Sequence, residues 1–582
     1  MNRRLPGLLP YAVFLLLTAI SWNRWLEPYV DSGRELMVPS RLASGEALYR
    51  DVRFYHGPLG PYLAAGVERI MEHSLPARFA LAGLIALLHI EALRRLARRL
   101  LSPGRAALSV AVIVAVAFFL RPGGCHLFPF SLDTAIATAA IAWALWWAGS
   151  GSPRGAWLSG AALLAAILSR PELGLAATFA VLLDRENARG ARRRFVPLAV
   201  VPVGLAAAVY ALLSLGTPLE TLKQEGWLAV LRPPAEFQRI YAAYAGFDAL
   251  GLRTAELLLA LVVVFLFGGV LWVAARAAAA SSGGGGGGWV VPAVSLLLLV
   301  CALAAWRPPR ALAETLTLFP PVIRIVPPLV IVAALARVLR RALRREDRGV
   351  LAGVPDSLLL LAALFSLRML LVAGYFGPYN AFLLPLPLLA FAAGLFALAD
   401  RLARGAPRLP SLAVAALAVF LLFRVASLGD LFRHPAWSPV DTPAGSVRIL
   451  EPVAQTTRMA LADLDRRVPP SGAMTGFPET GFLTYVLGRG NPLPQEQFFP
   501  GHLDGAAQRE AIRRLAESPP DAVVYVNVLA VGHRAVVFGA DYLPELDRFV
   551  RERFSPAATY GPGAGGDARI GDPQFFIQIR VP

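Results

Sequence analysis

The feature that most constrains this chain is the recurrence of apolar runs of membrane-spanning character separated by short clusters of arginine. After a first run near the amino terminus, others occur at residues 76–93, 106–120, 133–148, 156–169, 172–184, 195–215, 254–275, 289–305, 321–336, 356–374, 380–399 and 411–428. In hydrocarbon every backbone polar group must be satisfied within the segment, so a run of ~20 apolar residues spans as a helix. Counted together they read as thirteen crossings. Several are short, so the pair flanking Arg170 reads either as tilted helices or as one broken hairpin.

Arginine clusters at residues 94–105, 185–194, 337–348 and 401–408 all fall on one side of that scheme. The bias of basic residues toward the inside makes that side the cytoplasm. The amino terminus, with Arg3 and Arg4, is then cytoplasmic, and an odd number of crossings places everything after residue 428 outside. The first run has the basic flank of a signal peptide but no small-residue cleavage site, which makes it an uncleaved helix.

With 56% hydrophobic and 16% charged residues among 582, a soluble enzyme is excluded. The net charge of +17 is concentrated between apolar runs, as topology requires, so nucleic acid is excluded as a partner. Cys125 and Cys301 offer neither a disulfide framework nor metal-ligand spacing. The run SSGGGGGG at residues 281–288 lacks the Lys and Ser/Thr of a phosphate-binding loop and reads as a linker. From residue 429 the composition becomes that of a small α/β domain. Residues 461–467 and 508–517 read as helices, 521–528 (DAVVYVNV) as a buried strand, and 577–581 as a half-exposed strand. The expected organisation is a membrane domain over residues 1–428, with a first outward loop at 22–75, and an extracytoplasmic domain over 429–582.

That first loop stands apart from its surroundings. Residues 30–61, VDSGRELMVPSRLASGEALYRDVRFYHGPLGP, gather Asp31, Arg34, Glu35, Arg41, Glu46, Arg50, Asp51, Arg53 and His56. Ionisable groups beside a membrane are costly and mark function. Asp31 shares a helical face with Arg34 and Glu35, although Ser32 and Glu35 also fit a capping box and acids are ordinary at helix starts. The Gly57-Pro58 turn leads into a second amphipathic segment at 59–71. Two short helices along the membrane surface would hold the charges over a site.

The loop resembles that of the GT-C glycosyltransferases, specifically the protein O-mannosyltransferase and aminoarabinose transferase branch. The match reads Asp31-Ser-Gly-Arg-Glu35, then Ser44-Gly-Glu-Ala-Leu-Tyr-Arg-Asp51, then His56-Gly-Pro-Leu59. Asp133, in Phe-Ser-Leu-Asp, resembles a second acidic residue of the family, and Arg170, in Ser-Arg-Pro-Glu, a basic one. For these two the bland alternatives are an acidic helix start and a snorkelling arginine. The stretch Gly-Tyr-Phe-Gly-Pro-Tyr379-Asn380 resembles a late turn near the lipid donor, with Arg368 toward the same cavity, though a Gly/Pro turn also explains itself. The chain departs from the family at His56, where the aminoarabinose branch has lysine, and at Ser32, where the mannosyltransferase branch has glutamate.

The resemblance implies a mainly α polytopic membrane protein of GT-C fold with about thirteen transmembrane helices and a C-terminal α/β domain. It implies transfer of a sugar from a polyprenyl-phosphate donor to a lipid, glycan or protein acceptor outside a bacterial plasma membrane. A phosphate leaving group calls for cations where charge develops, here Arg34, Arg170 and, if protonated, His56. A hydroxyl acceptor calls for a base, here Asp31, with Asp133 orienting the acceptor or sharing that work. Single displacement inverts the anomeric centre. Glu35, Asp51, Glu172, Arg368, Tyr379 and Asn380 support the site. The first loop holds no Asp-x-Asp, so metal-bound diphosphate chemistry is not expected, no cofactor is called for, and metal dependence stays open. Two other readings compete: a lipid or solute transporter, which would show internal repeats and mid-membrane charges, and a polymerase or ligase of pyrophosphate-linked glycans, which would want a large loop between late helices.

Overall fold

The computed structural model describes residues 5–119, 125–129, 131–184, 195–230, 235–280, 321–343, 353–371, 379–403, 408–501, 503, 505–527, 537–561 and 575–582. The 281–288 linker, the 289–305 run, Cys301, the arginines of 185–194 and 344–348, and the 374–378 part of the late turn lie outside them. The chain is mainly helical. Helix α1 (Leu9–Ile20) is followed by α2 (Ser32–Ala43), α3 (Leu59–Ile70), α4 (Leu75–Leu100), α5 (Pro103–Ile113), α6 (Leu132–Ala148), α7 (Pro153–Ser169) and α8 (Pro171–Leu183). Among the described residues, four helices are long and apolar enough to cross a membrane: Leu75–Leu100, Val196–Leu213, Pro385–Leu402 and Leu409–Arg433. Shorter apolar helices, Pro6–Ile20, Pro103–Phe118, Leu132–Ala148, Pro171–Leu183 and Asp356–Leu367, pack among them.

Local sequence sets the ends of these helices. The hydroxyls of Ser74, Ser131 and Ser152 accept hydrogen bonds from Ala77 N, Thr134 N and Gly155 N, capping α4, α6 and α7. Helix α5 widens into a π-helix at Val114–Phe118. A π turn frees carbonyls from the ladder. Arg424, fully buried, donates to two carbonyls of this region, Ala115 O at 3.2 Å and Phe119 O at 3.3 Å.

The C-terminal region contains a two-stranded antiparallel sheet, β1 (Trp437–Thr442) and β2 (Gly445–Leu450), and a four-stranded sheet. The latter comprises β3 (Met474–Phe477), β4 (Ala522–Val526), β5 (Ser555–Tyr560) and β6 (Ile577–Val581), in the order β3-β4-β6-β5 with β3 and β4 parallel. The expected helix at 461–467 begins earlier, at Val453, and the one at 508–517 begins at Gly505. The expected half-exposed strand at 577–581 is more enclosed than its alternation suggests. Arg580 is buried because its Nε donates to Phe554 O at 2.9 Å.

This domain sits directly on the first loop. Tyr29 Oη bonds Thr457 Oγ1 at 2.7 Å, Arg53 N donates to Pro494 O at 2.8 Å, and Arg41 pairs with Glu496 at 2.8 Å. Helix α2 meets the helix Gly481–Val486 backbone to backbone: a Cβ on Gly33 would lie 2.8 Å from Gly481 Cα. Only a glycine pair allows that approach. Helix α2 is therefore enclosed, with Ser32 to Pro39 all buried, rather than lying on a membrane surface as its amphipathic pattern suggested. Helix α3 does keep Tyr62, Leu63 and Ile70 exposed, the composition of an interfacial helix.

Candidate active site

The candidate site is built where α2, the 56–58 turn, the α7–α8 junction and the start of α6 converge. Asp31 stands immediately before α2 with φ of 62°, a left-handed conformation that aspartate tolerates better than most residues. The expected capping box does not form. The Ser32 hydroxyl accepts instead from Glu27 N at 3.2 Å, and Glu35 turns inward, its Oε1 accepting from Arg34 Nη2 at 3.1 Å and its Oε2 from Leu132 N at 3.2 Å. The amides at the start of α2 are held from 446 and 448 residues away. Glu479 accepts from Asp31 N at 2.6 Å and from Gly33 N at 3.0 Å.

Gln497 ties this corner together. Its Nε2 donates to Asp31 Oδ1 at 2.8 Å and to Glu479 Oε2 at 2.9 Å, while its Oε1 accepts from Arg34 Nη1 at 2.8 Å. Arg34 also lies 3.5 Å from Asp31 Oδ1. The Asp31 side chain stays 24% exposed while Arg34 is at 6%, so Asp31 is the member able to meet a substrate. Burial, followed by the neighbouring Asp31 charge, pushes the Glu479 carboxyl up to about 8. Burial also raises Glu35, against the pull of Arg34.

The His56-Gly57-Pro58 turn docks against the end of α7. Gly57 N donates to Ser169 O at 2.9 Å, and a Cβ on Gly57 would lie 2.0 Å from Leu168 O. This close approach is what the glycine is for. It brings His56 against Arg170, whose Nη1 lies 2.8 Å from Nδ1, and Arg170 is buried with Nε donating to Glu172 at 2.7 Å. A guanidinium can only donate, so Nδ1 is the accepting nitrogen. Burial first, then the charges of Arg170, Arg34 and Arg368, hold His56 well below its ordinary value. The cationic role conditional on a protonated His56 is thus disfavoured, by burial first and by the three neighbouring arginine charges after it.

Asp133 is fully buried, and its Oδ1 accepts from Gly60 N at 2.8 Å, fixing the first turn of α3 to α6. Its electrostatic neighbours are Glu35, Arg170 and Arg34. Asp51 is not brought to this cluster. It closes its own turn, accepting from Ala47 N at 2.8 Å and pairing with Arg50 at 2.9 Å on the surface. Arg368, just after the helix Asp356–Leu367, reaches the cluster through its charge. Tyr379 and Asn380 open the helix Tyr379–Leu383, and their side chains lie outside the described residues.

Glu479 and Gln497 were not among the expected site residues. The segment 477–481 reads in sequence as a loop cluster that a surface turn explains equally well. The available signal was an acid directly after a proline and two residues before a glycine, at the end of an apolar strand. No group of three metal-ligating side chains occurs among the described residues. The chain's single Asp-x-Asp, Asp463-Leu464-Asp465, is taken up by Arg466, Arg467 and Arg489.

No protein-family model and no curated protein matches the sequence. Among solved structures, the chain is similar to ArnT from Cupriavidus metallidurans bound to undecaprenyl phosphate, at 15% identity and a TM-score of 0.45, over 98% of this chain and 97% of that one. It is also similar to the oligosaccharyltransferase AglB of Archaeoglobus fulgidus in complex with an inhibitory peptide and a dolichol-phosphate, at 12% identity and a TM-score of 0.47, over 96% of this chain and 73% of that one. Similarity at this level assigns no role to any residue of this chain.

Proposed function

We propose that the chain is an integral-membrane glycosyltransferase that moves a sugar from a polyprenyl-phosphate donor to a lipid, glycan or protein acceptor, with inversion. The observation that carries the reading is buried Arg170 held 2.8 Å from His56 Nδ1, with Arg34 and Arg368 within electrostatic reach of the same ring, beside a carboxylate, Asp31, that keeps access to solvent. Guanidinium groups bind phosphate oxygens through charge-assisted, geometrically matched hydrogen bonds. Arg170 and Arg368 stabilise the charge that grows on the phosphate as the sugar–oxygen bond breaks. His56 orients the Arg170 guanidinium through its accepting Nδ1. Asp31 takes the proton of an acceptor hydroxyl, and Arg34 with Gln497 keeps that carboxylate oriented. Where the acceptor is itself a phosphate, no base is needed and Asp31 only positions groups.

In this reading the first loop and the C-terminal domain face the outside of a bacterial plasma membrane, thirteen helices cross, and the 429–582 domain covers the site. The test is mass spectrometry of lipid that copurifies with the detergent-solubilised protein and with its Asp31→Asn variant. Polyprenyl monophosphate or its sugar ester, enriched in the variant, is the expected result. Bulk phospholipid alone, or a pyrophosphate-linked oligosaccharide, would overturn it.

A further inference from the structure

We propose that Glu479, carried by the C-terminal domain, is a positioning residue for Asp31: its carboxylate holds the Asp31 and Gly33 amides and so sets the direction in which the Asp31 side chain leaves the start of α2. The inference rests on the reading of Asp31 as the base. Its geometry is independent of that reading.

Asp31 occupies a left-handed conformation at φ of 62°, which costs an L-residue unless its surroundings over-determine it. Two amide hydrogen bonds to one carboxylate, at 2.6 and 3.0 Å, supply that determination. Gln497 then couples the Glu479 and Asp31 carboxyls through a single Nε2, and it passes the Arg34 guanidinium into the same network. A simple helix cap would come cheaply from Ser32, which is adjacent but faces Glu27 N. Burying a carboxyl group from a distant domain for this purpose is costly. The return is that Asp31 is correctly aimed only when the domain is seated. The charged groups facing Glu479 are Asp31 and Arg34, both at the start of α2.

The test uses the full-length protein in detergent with three variants: Glu479→Ala, Glu479→Gln and Tyr485→Phe. The last removes the hydrogen bond from Tyr485 to Glu68 in the same interface without touching α2's start. Hydrogen exchange read by mass spectrometry should quicken by about tenfold or more at residues 31–33 in both Glu479 variants and not in Tyr485→Phe. In the same preparations the ratio of sugar-linked to bare polyprenyl phosphate should rise in Glu479→Ala by about tenfold, as is expected for Asp31→Asn, because a misaimed base slows turnover while the donor still binds. Unchanged exchange at 31–33 overturns the proposal. Quickened exchange with an unchanged lipid ratio makes Glu479 a helix cap only and also overturns it. Exchange quickened across the whole domain interface shows undocking instead of positioning. Should neither wild type nor Asp31→Asn carry any polyprenyl phosphate, the proposed function fails, and the exchange data still decide whether Glu479 holds α2.

Discussion

Arg170→Gln separates the cation from the histidine it suppresses. Arg170 donates 2.8 Å to His56 Nδ1 and 2.7 Å to Glu172, and it is buried, so its charge acts in a poorly screened environment. A hydrogen bond to a charged group contributes about 1.5–3 kcal/mol, so losing one from a bound phosphate weakens affinity by about 10–150-fold. Glu172 loses its partner too, but its side chain is 26% exposed and water takes over, so little stability is lost. The second consequence concerns pH. In the wild type the Arg170 charge is the first electrostatic cause, after burial, that keeps His56 neutral. Without it the His56 pKa moves up toward the ordinary 6.5. Lowering the pH then charges His56 and returns a cation to the site. Undecaprenyl phosphate titrated into the detergent-solubilised protein and followed by native mass spectrometry should bind the variant weakly at neutral pH and regain affinity on acidification. The wild type should show no such recovery. Unchanged affinity at neutral pH, or a loss that acid does not relieve, would refute the placement of Arg170 and His56 in one phosphate site.

Asp31→Asn should lower transfer by about 10²–10⁴-fold, the usual contribution of a general base. Thermal unfolding of the same variant should barely move, because its ion pair with Arg34 is long, 3.5 Å, and partly solvated. Gly57→Ala forces a methyl to 2.0 Å from Leu168 O, so it should cost about 1–3 kcal/mol or more and lower the melting temperature, with undecaprenyl phosphate affinity falling as His56 leaves Arg170. Glu479 supplies a pH test of stability. Its folded-state pKa of about 8 exceeds the ordinary 4.5, so between those values the folded protein binds more protons than the unfolded one, and stability falls as pH rises through that window. Denaturation of Glu479→Gln in detergent should be flatter over the same range. Glu35→Gln removes an acid whose carboxyl burial raises, so undecaprenyl phosphate binding should strengthen in the variant as pH rises; a weakening there would count against it.

The short-range part of the site was legible in the sequence. The charges of residues 31–56, the two loop helices and the His-Gly-Pro turn all follow from local pattern, and Leu59–Ile70 begins where the turn residues predict. What local pattern could not supply was the partner of each charge. Ser32 and Glu35 satisfy the spacing of a capping box, yet tertiary contacts redirect both, and the cap arrives from Glu479. The turn residues around Glu479 mark the acid but not its partner, since a buried acid and a surface acid look alike in sequence until the opposing amides are known. The charge of His56 stayed open in the sequence for the same reason, because it depends on burial and on Arg170, 114 residues away. Asp51 erred in the opposite direction: it matches the motif and closes only its own turn. Helix lengths were obscured by continuity, as α5 runs into a π-helix that its apolar composition does not mark.

The electrostatics of the cluster favour a phosphate only because some of its acids are buried. Asp31, Glu35, Asp133, Glu172 and Glu479 face Arg34, Arg170 and Arg368 across a neutral His56. Were every carboxyl ionised, the acids would outnumber the cations and the site would repel an anion. Burial raises the carboxyls of both Glu35 and Glu479, which weakens the negative charge set against the guanidinium groups. Both are held there by contacts that the docked C-terminal domain makes or covers, Glu479 directly and Glu35 through the enclosed α2. Seating the domain thus does two things at once: it aims Asp31, and by excluding water from the acids it lessens the negative charge that a phosphate would meet beside the arginines.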